Sequence, residues 1–112
     1  MLELSSHKIL SIIKFNEISH KKITCDSVME IFGKDVVRVA SKKYGSGNTI
    51  GGYAIAHLFL VISGRCSIKS GGKSISLHEG LATLVGNGYY EMETPSDSGC
   101  DVIVAWLRDG SK

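Results

Sequence analysis

The sequence has few cysteines and none of the cysteine patterns that mark a covalent or metal framework. Its three cysteines, Cys25, Cys66 and Cys100, are odd in number, lie far apart and form no Cys-x-x-Cys motif. This argues against a disulfide framework or a structural zinc site and favours reduced thiols in a cytoplasmic protein. The chain also lacks a basic segment followed by an apolar one at its start, so we expect no signal peptide.

The excess of positive charge is small, at a formal +2 over 112 residues. The basic residues form dipeptides such as Lys21-Lys22 and Lys42-Lys43 instead of one long positive block, which is typical of solvated charges. We therefore expect neither a nucleic-acid partner nor binding to a membrane surface. No apolar run approaches the length that is needed to span a bilayer.

The composition that is present suits one globular domain spanning residues 1–112. A chain of this length is expected to fold as a single unit. It buries roughly two-thirds of its unfolded surface, which is enough for a stable core without disulfides or a bound metal. Hydrophobic residues make up 43% of the chain and charged residues 21%, and both values are ordinary for a soluble globular protein.

The apolar run from His57 to Gly64 is the clearest structural signal. Its length and its Ser-Gly ending predict a buried strand that stops at Gly64. Alternate residues of an extended chain share a face, so Tyr53, His57 and Phe59 are predicted to lie on the same side. Because the opposite face is also apolar, we expect this strand to be covered on both sides, with His57 facing an interior or a pocket.

Further short strands separated by glycine turns surround this run. Strands are predicted over residues 35–41, 66–69, 74–77, 81–85, 89–93 and 101–107. The pair Gly71-Gly72 predicts a tight hairpin, because glycine tolerates positive φ. Residues 7–15 could form a short strand or one helical turn, and their β-branched content favours the strand. Residues 23–32 also favour strands, and no segment has a clear helical period. Short connections exclude parallel crossovers, so the sequence predicts an all-β antiparallel sandwich or barrel.

The glycine spacing in the middle of the chain resembles the first motif of the cupin superfamily, a family of small antiparallel jelly-roll barrels. That motif reads Gly, five residues, His-x-His, three or four residues, Glu, six residues, Gly. The same spacing here joins Gly45, Gly51, Tyr53, His57 and Gly64. The intervals are kept although the residue types change.

The second cupin motif is matched in the same way. It reads Gly, five residues, Pro-x-Gly, two residues, His, three residues, Asn, and the corresponding positions here are Gly80, Gly86, Gly88, Glu91 and Pro95. The resemblance implies a jelly-roll, cupin-like β-barrel core over residues 36–107. Residues 1–35 would then supply N-terminal strands that pack on the barrel or on a partner subunit.

The metal ligands of the family are mostly missing. Cupins usually hold a divalent metal with three histidines and a glutamate, and the corresponding positions here are Gly51, Tyr53, His57 and Glu91. Glycine offers no donor and a phenol is a poor one, which leaves one imidazole and one carboxylate. Because open catalytic sites usually need three protein ligands, we expect no bound metal and no cofactor.

The resemblance brings Glu91 to the same interior as Tyr53 and His57. Together with Phe59 and Tyr89, these are the predicted ligand-binding residues. In an enzyme, His57 would act as base with Tyr53 or Glu91 as acid, since a nearby carboxylate raises the basicity of an imidazole. The alternative is a structural His57–Glu91 hydrogen bond that satisfies two polar groups in a relict site.

Three functions agree with this interpretation. The first is a metal-independent barrel that binds a small polar organic molecule in its interior. The second is an isomerase, epimerase or cyclase that uses the acid/base residues. The third is a structural dimerisation module, as the resemblance allows, and we expect a homodimer on the same basis.

Overall fold

The computed structural model describes residues 12–15, 23–54, 57–86 and 88–107. These ranges contain eight strands and one helix. The strands are β1 (Ile13–Lys14), β2 (Val37–Tyr44), β3 (Thr49–Ala54), β4 (His57–Ser70), β5 (Lys73–His78), β6 (Leu81–Val85), β7 (Gly88–Glu93) and β8 (Cys100–Leu107). The helix is α1 (Cys25–Phe32).

The strands form two antiparallel sheets that share β4. The first sheet has the order β2-β8-β4-β6-β1, and the second has the order β3-β7-β4-β5. The predicted all-β, antiparallel jelly-roll architecture is confirmed. The barrel is not strictly closed. Within the described ranges, β2 pairs with β8 alone and β3 pairs with β7 alone, so both are edge strands.

Strand β4 runs through both sheets. Its first part pairs with β6 and β8, and its second part pairs with β5 and β7. The ladder to β8 shifts register between Val61 and Ser63, and Gly64 follows with φ +77°. An irregularity of this kind bends a strand. The prediction that the strand stops at Gly64 is therefore wrong, since the chain bends there and continues to Ser70.

Apolar side chains fill the space between the two sheets. We call this set the inner cluster: Phe59, Val61, Cys66, Ile68, Leu77, Val85, Met92, Cys100, Val102 and Val104. Tyr44, Tyr90 and Trp106 pack against it at partial burial. Burial of this apolar surface is the main favourable contribution to the stability of the barrel.

The opposite face of the first sheet carries a second apolar set, the outer cluster. Its members are Ile13, Phe15, Val28, Phe32, Val37, Leu58, Leu60, Ala82, Leu84, Ile103 and Ala105. Leu58 and Leu60 alternate with Phe59 and Val61 along β4, so this strand is buried on both faces, as its apolar sequence indicates.

Residues 25–32 form helix α1, so the strand predicted over residues 23–32 is wrong. The backbone N–H of Ser27 donates to Thr24 Oγ1 at 3.1 Å, and the N–H of Thr24 donates to Ser27 Oγ at 2.8 Å, which makes a capping box. Val28 and Phe32 lie one turn apart and are buried in the outer cluster. Within the described ranges, no helix is long and apolar enough to cross a membrane.

The strand predicted over residues 7–15 is described only in part. Residues 13 and 14 pair with β6 as strand β1, while residues 7–11 lie outside the described residues. Phe15 follows and packs against Phe32, with ring centroids 6.3 Å apart. The described part of residues 1–35 therefore covers the first sheet of its own chain.

We expect Gly64→Ala to destabilise the protein far more than Gly71→Ala. A Cβ at Gly64 would collide with the carbonyl oxygen of Gly99 and crowd Cys100, on a backbone with φ +77°. The strain and clash together should cost about 3 kcal/mol or more. Gly71 also has positive φ, +58°, but no atom lies within 4 Å of its Cβ position, so about 1 kcal/mol is expected.

Urea unfolding of both variants, followed by the fluorescence of Trp106, measures the difference in the free energy of unfolding. Equal losses in the two variants would show that packing at the bend of β4 is not what limits stability there.

Candidate functional site

One end of the first sheet carries polar and aromatic side chains on its inner face. The strand register places Arg38 of β2 opposite Trp106 of β8, and His57 of β4 opposite Val85 of β6. The β4–β8 register makes His57 and Trp106 neighbours across that ladder. We call Arg38, Trp106, His57 and Val85 the inner row.

The aromatic rings near this row form a chain that crosses from one sheet to the other. The ring centroids of His57 and Trp106 are 5.7 Å apart, and those of His57 and Phe59 are 6.3 Å apart. Phe59 contacts Tyr90 of β7 with centroids 5.1 Å apart. His57 therefore faces the interior, beside Phe59 as predicted, and its other aromatic neighbour among the described residues is Trp106.

His57 is half-buried and favours the neutral form. Burial lowers the pKa of its imidazole below the ordinary value of 6.5, and the positive charge of Lys42 lowers it further. Burial raises the pKa of the Tyr90 hydroxyl. Near neutral pH the site thus presents a neutral imidazole and a protonated phenol, which can both donate and accept hydrogen bonds.

Tyr53, Tyr89 and Glu91 lie on the outer face of the second sheet, away from His57. Tyr53 is 79% exposed and Tyr89 is 49% exposed, and their rings meet edge to face at 5.5 Å. Glu91 and Tyr89 line a surface cleft of about 470 Å³ beside the turn Gly71-Gly72. The expectation that Glu91 and Tyr53 share the interior with His57 is wrong in this respect, and no His57–Glu91 hydrogen bond forms.

For Tyr89 and Glu91 the cause is a register difference of one residue along β7. Along β7, Tyr90 and Met92 pack into the inner cluster, so Tyr89 and Glu91 must point the other way. The motif spacing assigns position 91 to the interior, whereas the sheet places position 90 there. A slip of one residue moves every side chain of a strand to the opposite face.

The two glycines of β3 accommodate tyrosines on both faces. A Cβ at Gly51 would collide with the hydroxyl of Tyr89 on the outer face, and a Cβ at Gly52 would lie 3.1 Å from the hydroxyl oxygen of Tyr90 on the inner face. Glycine at these positions allows each ring to approach the backbone. Gly52 thereby helps to fix the position of Tyr90 in the interior.

The residues present do not fit the metal of the cupin motif. Of the four corresponding positions, Gly51 has no donor, Tyr53 and Glu91 lie outside, and His57 is the one ligand that faces inward. The described ranges hold no group of three or more His, Cys, Asp or Glu side chains that could bind a metal ion. No metal-dependent step follows from this donor set.

Sequence reasoning did not find Arg38, Lys42 and Trp106 as site residues. The alternation along β2 carries the signal: Val37 and Val39 pack in or against the outer cluster, so Arg38 between them belongs to the inner face. The dipeptide Lys42-Lys43 is typical of solvated charges in the sequence, because the face of each lysine depends on which side of β2 meets the second sheet.

Comparison with known proteins rests on structure. No protein-family model and no curated protein matches this sequence. A cupin superfamily protein from Desulfitobacterium hafniense DCB-2 is similar with a TM-score of 0.58 and 15% identity, over 67% of this chain and 70% of that one. A cupin 2 conserved barrel domain protein from Salinispora arenicola CNS-205 gives 0.59 and 17%, over 67% and 66%. The chain has the cupin fold.

The cupin fold is shared with proteins of differing names. The EutQ protein of Clostridium difficile is similar with a TM-score of 0.57 and 14% identity over 67% of this chain. The match covers 59% of that protein, which is less than two-thirds of its length. Likeness at this identity establishes the cupin fold, and the function has to be argued from the site.

The cupin interior also holds a pair of thiols, at the end remote from Trp106 along β8. Cys66 and Cys100 belong to the inner cluster, and their thiols are close enough to act on each other's pKa. Burial raises the pKa of Cys66 to about 12, with the neighbouring Cys100 adding to the shift. Burial also raises the pKa of Cys100. All three cysteines are free thiols.

We expect Cys25 to be alkylated before Cys66 and Cys100 in the native protein. The thiolate is the reactive form, and the raised pKa of both buried thiols keeps them protonated, whereas Cys25 is only half-buried in α1. Mass spectrometry after brief treatment with a maleimide measures the order of labelling, with urea-unfolded protein as control. Labelling of Cys66 as fast as Cys25 in the native state would contradict the burial of the pair.

We expect the His57 imidazole to titrate below 6.5, and Lys42→Gln to raise its pKa while Lys43→Gln leaves it unchanged. Lys42 and Lys43 are neighbours on β2, but the charge of Lys42 acts on His57. The pKa of His57 is lower in the folded protein than in the unfolded chain. At a pH between these two values the unfolded chain binds more protons at His57, so the contribution of His57 to the free energy of unfolding rises with pH there and is constant above it.

Proton NMR of the imidazole in the three proteins gives the pKa values. A native pKa of 6.5 or above, or equal shifts in both variants, would be inconsistent with a half-buried ring beside Lys42.

Proposed function

We propose that this cupin-fold protein binds a small polar organic molecule with a flat body, without a metal, at the inner-row end of the barrel. Support comes from three half-buried polar groups on the inner faces of the sheets: the imidazole of His57, the hydroxyl of Tyr90 and the indole N–H of Trp106. Within the described ranges none of them has a hydrogen-bond partner. Half-buried polar groups normally find a partner in protein, water or ligand.

The packing supports a site at this end of the barrel and not in its middle. Phe59 is 1% exposed, and Val61, Ile68 and Met92 are fully buried, so apolar side chains fill the centre. Towards the inner row, His57 and Trp106 are only partly buried. Aromatic faces with a few convergent polar groups are typical of small-molecule sites.

The enzyme alternative is less well supported. An isomerase, epimerase or cyclase would need an acid beside His57, and the two residues predicted for that role, Tyr53 and Glu91, lie on the outer face. Tyr90 is a phenol on the inner face, and both it and His57 contact Phe59. The dimerisation module and the homodimer stay predictions, as does the cytoplasmic location.

The test uses Trp106 as reporter, because it is the single tryptophan of the chain. Benzamide and benzoate, two flat polar molecules of one shape, are titrated against the protein, with fluorescence and amide chemical shifts as readouts. We expect at least one of them to give a saturable change, with the largest chemical shift changes at His57, Trp106 and Tyr90.

Two variants test the assignment of the site. His57→Gln and Tyr90→Phe each remove one hydrogen-bonding group and should weaken binding about fivefold to tenfold, the worth of one hydrogen bond of about 1 to 1.4 kcal/mol. Tyr89→Phe makes the same change on the outer face and should have no effect. Chemical shift changes centred on Tyr53 and Tyr89, or no saturable change with either molecule, would refute the proposal.

A further inference from the structure

We infer that the molecule bound at the inner row carries an oxyanion, a carboxylate or a phosphate, which Arg38 and Lys42 recognise. This inference rests on the proposed function and gives it a ligand class. Its basis is the placement of two cationic side chains on the inner face of β2, the strand that borders the row.

The register of β2 separates inward and outward charges. Arg38 and Lys42 lie opposite Trp106 and Val102 of β8, whereas Lys43 lies opposite Asp101. Cross-strand neighbours on one face are within reach of each other, so Lys43 has a carboxylate across the ladder. Arg38 and Lys42 face an aromatic and an aliphatic residue instead.

Neither inward cation has an anionic partner within the part of the chain that the structure describes. The two salt bridges found there join Arg65 to Asp97 at 3.3 Å and Lys69 to Glu93 at 3.7 Å, and both involve the second half of β4. Two cations that lack an ion-pair partner among the described residues, with a neutral imidazole on the same face of the sheet, attract an anion.

The ends of the two side chains are accessible to a ligand. Both Arg38 and Lys42 are exposed. Arg38 and Trp106 line a surface cleft of about 320 Å³ together with Met29, Val37 and Val39, which pack in or against the outer cluster. The charge of Lys42 reaches as far as His57, whose pKa it lowers. Arg38 therefore borders the end of the barrel that holds the rings of His57 and Trp106, and Lys42 lies four residues farther along the same strand, opposite Val102.

The chemistry of the groups is complementary to a flat organic acid. The guanidinium of Arg38 can hold two oxygens of a carboxylate or phosphate in a bidentate manner, and the ammonium of Lys42 adds a point charge. The neutral imidazole of His57 can donate one N–H to the same group. The ring of Trp106 offers a face on which a planar body can stack.

A simpler role for inward charges on an edge strand is protection against pairing with another chain. This role predicts that Arg38 and Lys42 affect aggregation and leave ligand affinity unchanged. The two interpretations therefore separate in a binding experiment.

The experiment compares benzoate and phenyl phosphate with benzamide, a neutral molecule of nearly the shape of benzoate. We expect the two anions to bind at least about tenfold more tightly than benzamide at low salt, with the difference shrinking as ionic strength rises. The ratio between benzoate and phenyl phosphate identifies which oxyanion the site prefers.

Substitutions on β2 then assign the charges. Arg38→Gln and Lys42→Gln should each weaken benzoate binding about tenfold and leave benzamide binding nearly unchanged, while Lys43→Gln serves as the matched control with no effect. Circular dichroism and the melting temperature confirm that all three variants keep the fold.

Each outcome decides the matter. Benzamide binding as tightly as both anions would overturn the oxyanion inference and leave the proposed function standing. Full benzoate affinity in Arg38→Gln and Lys42→Gln would also overturn it and assign the charges to edge protection. Failure of all three molecules to bind would refute the proposed function as well.

Discussion

The burial of β4 on both faces is the constraint on which the rest of the structure depends. Leu58 and Leu60 enter the outer cluster under α1 and β1, while Phe59 and Val61 enter the inner cluster between the sheets. The bend at Gly64 then carries the same strand into the second sheet. Because one strand joins both sheets, its alternation decides which side chains of every neighbouring strand face the interior, and His57 faces inward for this reason.

The sequence specifies where the chain turns better than it specifies the face of the sheet on which a side chain lies. Glycine intervals mark where hairpins turn, so the antiparallel jelly-roll and the hairpin at Gly71-Gly72 could be predicted. The face of a side chain depends on parity, and an error of one residue inverts it. His57 and Phe59 lie within the apolar run that defines the inner face, so their inward orientation follows from the sequence. Glu91 follows a glycine turn, and its predicted inward orientation is wrong.

Helix α1 could not be separated from a strand by local pattern alone. Val28 and Phe32 fit a helical period, and the intervening Met29 and Ile31 also fit a loose alternation. The capping box of Thr24 and Ser27 favours the helix locally. The decisive partner is the apolar outer face of the first sheet, where Val28 and Phe32 are buried, and that face exists only after β2, β8, β4 and β6 have assembled.

The alternation of side chains along the strands fills the centre of the barrel and thereby limits where a polar ligand can bind. Val61, Ile68 and Met92 leave the middle packed, so a polar ligand would have to displace apolar contacts there without gaining hydrogen bonds. At the inner-row end of the barrel a polar ligand meets a different environment. His57 and Trp106 of the row and Tyr90 of β7 are partly buried and lack hydrogen-bond partners within the described residues. Binding at that end adds hydrogen bonds to groups that are already partly desolvated. The inward charges of Arg38 and Lys42 lie along the same edge, where an anion can meet them without crossing the apolar centre.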